Sequence, residues 1–255
     1  MFPAALVNLF IPAKCIVCGQ TLLKDERHIC LNCKADMPFT HYPIYADGAR
    51  AAANPMADAF NALVQKGIEE KEGSFSGVST YEPYVAAVAL FFYQEGYKNI
   101  TQALKYHGNI PAGRYFASLL AEKLSSGGLT GLDAVIPVPL HWMRRFKRGF
   151  NQAQIIAGEV ARILDAPLRT DILYRRSSTG TQTRLSGEAR TANVVGAFGA
   201  RPGKFAEPET GTIGPKILLI DDVFTTGSTM YACYSALKAS YPASRITIAT
   251  LAFVP

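Results

Sequence analysis

Apolar residues occur along this chain in two kinds of pattern. Short unbroken runs predict strands that are buried on both faces, as in a parallel sheet, at residues 85–93, 134–138 and 217–220. Residues 245–253 are predicted to form a closing strand. Elsewhere, apolar residues spaced three or four positions apart predict helices, at residues 55–67, 99–107, 111–124, 152–164 and 230–239. Strands that alternate with helices predict an α/β domain in which helices flank a parallel sheet.

The pattern of alternating strands and helices is confined to the later part of the chain. Residues 68–77 are first charged and then rich in glycine and serine, a composition typical of a linker. Asn54 and Pro55 are the expected cap and first position of the helix before that linker. We therefore predict a small amino-terminal module over residues 1–45, a linker and cover helix over 46–78, and the main α/β domain over 79–255.

Four of the five cysteines form two Cys-x-x-Cys pairs, with eleven residues between the pairs. Two such pairs at this spacing fit a tetrahedral Zn²⁺ site with four thiolate ligands, which is a closed, structural site. So short a module buries little apolar surface, and the metal should supply its folding energy. Two cysteine pairs without a metal are the alternative. The predicted ligands are Cys15, Cys18, Cys30 and Cys33.

Residues 1–11 are apolar, but they lack the basic start and the small-residue cleavage site of a signal peptide. Cysteine pairs in a chain without an export signal indicate metal binding rather than disulfides. The longest apolar run, residues 85–93, is far shorter than the roughly 20 residues that span a bilayer. We therefore expect a cytoplasmic protein with no membrane insertion.

The positive charge of the chain is local. The formal net charge is +6, and residues 141–190 alone hold ten lysines and arginines against four acids. Much of this excess lies in the loop that includes Arg148 and leads to Asn151, the expected cap of the next helix. A basic loop before a helix start predicts that a polyanion binds there, either a pyrophosphate, a nucleic acid, or both. A basic face that meets only solvent is the alternative.

The stretch 217–229 combines the elements of a phosphate site. At its expected end, the apolar strand is followed by two acids, a loop rich in hydroxyl groups, and a helix capped by Ser228 or Thr229. The first turn of a helix favours a phosphate because its backbone N–H groups are unpaired. The acids suit sugar hydroxyls or a Mg²⁺ ion carried by a polyphosphate. Phosphoribosyl pyrophosphate (PRPP) has all of these groups, and its predicted ligands here are Asp221, Asp222, Thr225, Thr226, Gly227, Ser228 and Thr229.

This stretch resembles the PRPP-binding motif of the type I phosphoribosyltransferases, in which two acids and a hydrophobic pair precede Thr-Thr-Gly-x-Thr. The resemblance implies that Asp221 and Asp222 hold the ribose hydroxyls, and that residues 225–229 wrap the 5′-phosphate. It also implies that the polar loop near residues 177–190 closes over the substrate. Pyrophosphate, with its Mg²⁺, would then meet the predicted catalytic arginines Arg184 and Arg190, together with Arg148 of the basic loop.

Further motifs extend the resemblance over nearly the whole chain. They are Pro-Val-Pro-Leu-His at 137–141, Arg-Gly-Phe-Asn-Gln at 148–152, Leu-Lys-Tyr at 104–106 and the two cysteine pairs. Together these motifs are similar to those of the ComF family, whose members are phosphoribosyltransferase-like proteins associated with natural competence. The resemblance implies a type I phosphoribosyltransferase-like fold with a small zinc ribbon, and a role in DNA uptake beside other competence proteins.

Two functions of different classes follow. The first is a phosphoribosyltransferase that acts in DNA uptake on an unidentified acceptor, since purine-specific relatives carry an acidic base where this chain has Thr225. The second is a non-catalytic competence factor that binds single-stranded DNA and keeps the PRPP pocket as a sensor or a relic. Trp142, Phe146 and Phe150 are interleaved with basic residues as base stacking requires, although all three would also suit a core.

Overall fold

The computed structural model describes residues 13–42, 44, 54–72, 84–140, 149–176, 196–206 and 214–255. The helices of the described residues are α1 (Leu31–Ala35), α2 (Pro55–Glu72), α3 (Lys98–His107), α4 (Ile110–Ser126), α5 (Gln152–Ile163) and α6 (Ser228–Ser240). The strands are β1 (Ala87–Phe92), β2 (Ala134–Pro137), β3 (Leu173–Arg175), β4 (Phe198–Ala200), β5 (Lys216–Phe224) and β6 (Arg245–Phe253).

Four of these strands form a parallel sheet in the order β1-β6-β5-β2. All four correspond to strands predicted from the sequence, and helices cover both faces of the sheet, so the predicted α/β fold class is confirmed. On one face, Phe116 of α4 and Ile156 of α5 pack in the same core as Leu218 and Ile220. On the other face, the core contains Leu219 together with residues of α2 and α6.

Two neighbouring strands of this sheet end at different levels. The last residue of β2, Pro137, is level with Ile220, whereas β6 continues to pair with β5 as far as Phe224. The prediction that β5 ends before Asp221 is therefore wrong, because β6 extends it by four residues. From Asp221 onward, β5 has lost β2 as its neighbour on one side.

The antiparallel pair β3–β4 lies outside the predicted elements. A parallel bridge between Val135 and Leu168 places the chain that leads into β3 along the outer edge of β2. These strands are only three residues long. Strands this short carry too little alternation to be recognised in the sequence.

Helix α2 begins at Pro55 with Asn54 as its cap, as predicted, but its predicted end near Gly67 is wrong. The helix continues to Glu72. Gly67 faces Tyr231 of α6, and a Cβ atom there would overlap the tyrosine hydroxyl. The glycine therefore allows two helices to approach closely instead of ending one of them. The predicted division of the chain at residues 45 and 78 stays a prediction.

The cysteine-bearing segment packs against the main sheet. Cys15, Ile29 and Met37 are buried in the same core as α4 and α5. The chain after α1 then lies along the outer edge of β1, where Thr40 N donates to Leu90 O at 3.1 Å and Phe92 N donates to Pro38 O at 2.8 Å. Covering an edge strand in this way protects it from pairing with another chain.

A half-buried lysine fixes this edge. The Lys123 ammonium of α4 donates to Ala89 O of β1 at 2.9 Å and to both oxygens of Thr40. Burial lowers the pKa of Lys123 to about 8. In the part of the chain that the structure describes, no helix has both the length and the apolar character needed to cross a membrane.

Substitution of Asn54 tests the contact between α2 and the sheet. Its side chain accepts from Ala57 N at 3.1 Å and donates to Ala87 O of β1 at 2.8 Å. We expect Asn54→Ala to lower the free energy of unfolding in urea by about 1–3 kcal/mol, because a cap is lost and a buried carbonyl loses its donor. The control is Asn99→Ala, since the Asn99 side chain makes no hydrogen bond within the described residues. Equal stability of the two variants would contradict this role.

Candidate functional site

The acidic pair lies where β5 extends beyond β2. Successive side chains of a strand point to opposite faces, so Asp221 shares a face with Leu219, and Asp222 shares a face with Ile220. Asp221 therefore points toward α6, where the buried Cys233 lies beside it. Asp222 points toward the other face, and its carboxylate is 3.4 Å from Nζ of Lys105 in α3. The two acids thus lie on opposite sides of the end of one strand.

Each carboxyl group is partly withdrawn from water. Asp221 is half-buried, and the Asp222 side chain is 13% exposed. Burial, followed by the charge of Asp222, raises the pKa of Asp221 to about 8, although the Lys105 ammonium opposes this shift. Two like charges this close favour retention of one proton by the pair at neutral pH. A bound cation or hydroxyl donors would favour the ionised form.

One carboxylate oxygen of this pair lacks a hydrogen-bond donor. Asp222 Oδ2 is buried and accepts no hydrogen bond from the described residues, while Lys105 attracts it only as an ion pair at 3.4 Å. Leaving a buried acceptor unsatisfied costs about 1–3 kcal/mol. The carboxylate is therefore ready to accept from a ligand.

Lys105 was not among the predicted site residues. In the sequence it is one of two lysines on a helix, and Leu-Lys-Tyr at 104–106 is only a weak motif. Leu104 beside it is fully buried, which fixes the orientation of α3 against the sheet. The packing of α3 brings the ammonium to Asp222, and no local pattern carries that information.

The loop after β5 is shaped by one glycine. Gly227 has φ +73°, the left-handed region, and a Cβ atom there would lie 2.6 Å from the Phe224 ring and 2.9 Å from Leu63. Only glycine fits this position. It is also the cap of α6, so the predicted cap at Ser228 or Thr229 is wrong. Ser228 instead begins the helix, and its hydroxyl is 3.0 Å from that of Thr226.

The start of α6 is suited to an anion. Its cap, Gly227, has no side chain to make a capping hydrogen bond, and Thr226 Oγ1 accepts from Ser228 N only at a long 3.5 Å. Thr225, Thr226 and Thr229 are exposed around it. Open backbone N–H groups at a helix start, surrounded by hydroxyl donors, form a site for a phosphate.

A second helix starts beyond the neighbouring strand β2. Asn151 caps α5, as predicted, since its Oδ1 accepts from Ala153 N at 3.1 Å, and its amide donates to Val138 O at 3.0 Å. The next residue, Gln152, is 3% exposed, and its Nε2 has no partner among the described residues. A buried unpaired donor thus follows β2, and a buried unpaired acceptor lies on β5, the adjacent strand.

Some predicted site residues lie outside the described residues. These are Arg148, Arg184 and Arg190, together with Trp142 and Phe146. Their assignments to pyrophosphate or to base stacking stay predictions. Phe150 is described, and it is half-buried against the core that contains α4 and α5.

The four predicted metal ligands come together at the other end of the chain. Their sulfur atoms all lie within 4.8 Å of one another, so they could hold a metal ion. Backbone N–H groups point at two of the sulfurs, from Cys30 to Cys15 Sγ at 3.4 Å and from Cys33 to Cys30 Sγ at 3.5 Å. Burial alone would raise the pKa of the Cys15 thiol, but hydrogen bonds from backbone N–H groups lower it to about 7. These hydrogen bonds favour the thiolate at Cys15, whereas burial and the neighbouring thiols raise the pKa of Cys33.

Parts of this chain are similar to known proteins. A family model described as a phosphoribosyl transferase domain matches residues 151–255, a range that contains β5, its acids and α6. Competence protein F of Haemophilus influenzae is 39% identical over 98 residues, which are 38% of this chain and 41% of that protein. Competence protein ComFC of Streptococcus pneumoniae is 27% identical over 231 residues, 85% of this chain and 90% of that protein. These matches support the resemblance of this chain to the ComF family.

A third relative also shares less than half of the chain. DNA utilization protein YhgH of Escherichia coli K12 is 34% identical over 115 residues, 44% of this chain and 47% of that protein. The chain thus spans less than half the length of Competence protein F and of YhgH.

Solved structures of adenine phosphoribosyltransferases were also found. Those from Leishmania tarentolae and Trypanosoma brucei are 12% and 14% identical, and each covers 61% of this chain. The match covers 74% and 68% of their chains, both with a TM-score of 0.35. A likeness of this size is too low to carry an argument.

A double-mutant cycle tests the Lys105–Asp222 pair. We expect Lys105→Met and Asp222→Asn to couple by about 0.5–2 kcal/mol in the free energy of unfolding, because each variant removes the partner of a partly buried charge. The control cycle combines Lys105→Met with Asp133→Asn, which lies at the opposite end of the sheet beside Lys216. That cycle should be additive within about 0.5 kcal/mol. Additivity in both cycles would show that the Lys105–Asp222 pair contributes nothing to the free energy of unfolding.

Metal analysis tests the cysteine cluster. We expect the purified chain to carry one metal ion, and Cys15→Ser to lose it together with much of the thermal stability, because a buried ligand is removed. Cys233→Ala is the matched control, since Cys233 is buried on α6 and lies outside the cluster. It should keep the full metal content in elemental analysis. A wild-type chain without metal would refute the site.

Proposed function

We propose that this chain binds PRPP with Mg²⁺ at the carboxyl end of β5 and serves DNA uptake as a phosphoribosyltransferase of the ComF type. The observation that carries the proposal is the position of Asp221 and Asp222 beside an uncapped helix start, with a buried carboxylate oxygen that lacks a donor. Sugar hydroxyls are the donors such an oxygen accepts. A phosphate is the group that such a helix start binds.

In this arrangement the 5′-phosphate binds to the amides at the start of α6 and to the hydroxyls of residues 225–229. The ribose hydroxyls donate to Asp221 and Asp222. The pyrophosphate then extends from β5 toward β2, where the buried amide of Gln152 supplies an unpaired donor. Arg148, Arg184 and Arg190 remain the predicted cationic partners of the pyrophosphate. Lys105 keeps the charge of Asp222 compensated while no sugar is bound.

The site residues contribute to phosphoribosyl transfer mainly through their positions and charges. Transfer of the phosphoribosyl group needs the sugar held in one orientation and the departing pyrophosphate stabilised. Mg²⁺ would reduce the negative charge of the pyrophosphate, and carboxylates are ligands that suit it. Thr225 occupies the position of the acidic base of purine-specific relatives, so the acceptor stays unidentified.

Zn²⁺ is the metal that we propose for the four cysteines. Sulfur atoms about 2.3 Å from a tetrahedral zinc lie roughly 3.8 Å apart. Cys18 Sγ and Cys30 Sγ are 3.8 Å apart in this structure. Four thiolates leave no open position, so the role of the ion is structural. A chain whose described cysteines are all free also suits the reducing cytoplasm, which is the compartment that we propose.

The role in DNA uptake rests on the relatives, which are named as competence and DNA utilization proteins. These names also favour a second candidate, a competence factor that binds single-stranded DNA and uses PRPP only as a signal. The two candidates differ in turnover. Pyrophosphate release from PRPP is therefore to be measured with bases, amines and single-stranded DNA as acceptors. Release with any acceptor supports the enzyme, whereas DNA binding without release supports the second candidate.

An isosteric double variant tests the PRPP site. We expect Asp221→Asn with Asp222→Asn to weaken Mg²⁺–PRPP binding at least about 100-fold in calorimetry, since two charge-assisted hydrogen bonds of about 1.5–3 kcal/mol each are lost. Thermal stability should change little, because the loss of the Lys105–Asp222 ion pair is offset by removal of the repulsion between the two acids. The control, Asp133→Asn with Asp165→Asn, loses the same charge away from the site. Equal PRPP affinity in the two double variants would reject the site.

A further inference from the structure

The four cysteines of the metal cluster differ in their access to solvent. Cys15 and Cys30 are 2% and 6% exposed, whereas Cys33 is half-buried and Cys18 is exposed. Cys18 is followed by Gly19, where an added Cβ atom would meet no described atom within 4 Å outside its neighbours in the chain. The turn that carries Cys18 therefore faces open solvent. Of the four sulfur atoms, this one is reached first by a small solute.

The exposed sulfur atom lies beside a buried one. Cys18 Sγ and Cys30 Sγ are 3.8 Å apart, although the two residues belong to different Cys-x-x-Cys pairs. Cys30 is also the cap of α1, because its side chain accepts from Cys33 N at 3.5 Å. The sulfur atoms of a disulfide are only about 2.05 Å apart. A bond between Cys18 and Cys30 would therefore remove the charge of the capping sulfur atom and draw it toward Cys18.

Helix α1 connects Cys30 to the segment that covers the edge of β1. The five residues of the helix are followed by Met37, which is 5% exposed in the core shared with α4 and α5. Phe39 then forms an antiparallel bridge with Phe91, and Thr40 N donates to a carbonyl oxygen of β1 at 3.1 Å. A change at Cys30 therefore acts on the start of the chain that protects this edge.

We propose that the cysteine cluster is an oxidation switch, in which a peroxide joins Cys18 to Cys30 and so loosens the cover of β1. The Cys18 thiolate attacks hydrogen peroxide, an S–O bond forms, the O–O bond breaks, and hydroxide leaves. The Cys30 thiolate then attacks the sulfur atom of this sulfenic acid, an S–S bond forms, the S–O bond breaks, and a second hydroxide leaves. The two sulfur atoms together lose two electrons, and the peroxide becomes two waters once each hydroxide takes up a proton.

The metal connects this reaction to the stability of the cysteine-bearing segment. This inference rests on the proposed zinc site, since the disulfide uses two of its four ligands. Cys15 and Cys33 alone are fewer ligands than a closed zinc site requires. A module of this size depends on its metal for folding energy, so loss of the metal weakens the contact between the cover and β1. A cellular thiol reverses the reaction by thiol–disulfide exchange.

The test exposes the full chain with its metal to hydrogen peroxide and follows three quantities. A chromogenic chelator should show release of the bound zinc. Mass spectrometry with fragmentation, on a digest made without reduction, should show Cys18 joined to Cys30. Hydrogen exchange at Thr40 N and Phe92 N should become about tenfold faster or more, because both amides donate across the contact between the cover and β1. Addition of a thiol and zinc should reverse all three changes.

The variant Cys18→His tests the role of the exposed sulfur atom. Histidine is a ligand in structural zinc sites, so this variant should bind zinc, but it forms no disulfide at this position. It should keep its zinc at a peroxide concentration that removes the zinc from the wild-type chain. The matched control is Cys233→Ala, which removes a buried cysteine outside the cluster and should lose zinc as fast as the wild type. Circular dichroism and zinc content before oxidation show that each variant is folded and loaded, and the cross-link and exchange measurements need no variant.

The outcomes separate this inference from the proposed metal site. A purified chain without metal refutes the metal site and this inference with it. A chain that holds zinc, but keeps both the zinc and its four thiols in peroxide, refutes the switch alone. The switch is also refuted by a disulfide within either Cys-x-x-Cys pair, by equal zinc loss from Cys18→His, or by unchanged exchange at Thr40 and Phe92 after Cys18 and Cys30 are joined. Zinc loss with that disulfide and with faster exchange at both amides supports it.

Discussion

The unequal ends of β2 and β5 are the constraint around which this molecule is arranged. Up to Ile220, strand β5 is a buried central strand with partners on both sides. Beyond that residue it keeps only β6, and the next two side chains are acids. A central strand could not bury two carboxyl groups, because charged groups need water or partners. At this position both acids are partly exposed and Asp222 also contacts Lys105, so the stagger of two strands makes an acidic site possible.

The same stagger explains why the charges of Asp221 and Asp222 are only partly compensated. Half-burial and mutual repulsion raise the pKa of Asp221, and the single ammonium of Lys105 relieves the repulsion only in part. Ligand-binding sites commonly keep polar groups in such unfavourable states, since a ligand then supplies the missing partner. Here one buried acceptor lies on β5, and one buried donor follows β2. A ligand that spans both strand ends would satisfy both groups.

The cysteine-bearing segment supports the parallel sheet at a distance from the acidic pair. Its cysteines share a core with α4 and α5, and the chain that follows covers the edge of β1. Lys123 joins that cover to the sheet through carbonyl oxygens, and no acid compensates its charge among its described contacts. An ammonium is costly to bury, which explains the low pKa of Lys123. The amino-terminal segment is thus tied to the sheet both by apolar packing and by a polar contact.

Local patterns in the sequence determined the four strands of the parallel sheet, most of the helix positions, the four cysteines and the acid-and-hydroxyl motif. Each of these depends on residues that are close together in the chain. Contacts between distant residues decided the rest. Gly67 looks like a helix end, but it faces Tyr231 and the helix continues. Gly227 caps α6 because Phe224 and Leu63 leave no room for a side chain. The pairing of Lys105 with Asp222 and the cover over the edge of β1 exist only once helices and strands have packed, since no spacing along the chain encodes where separate elements meet.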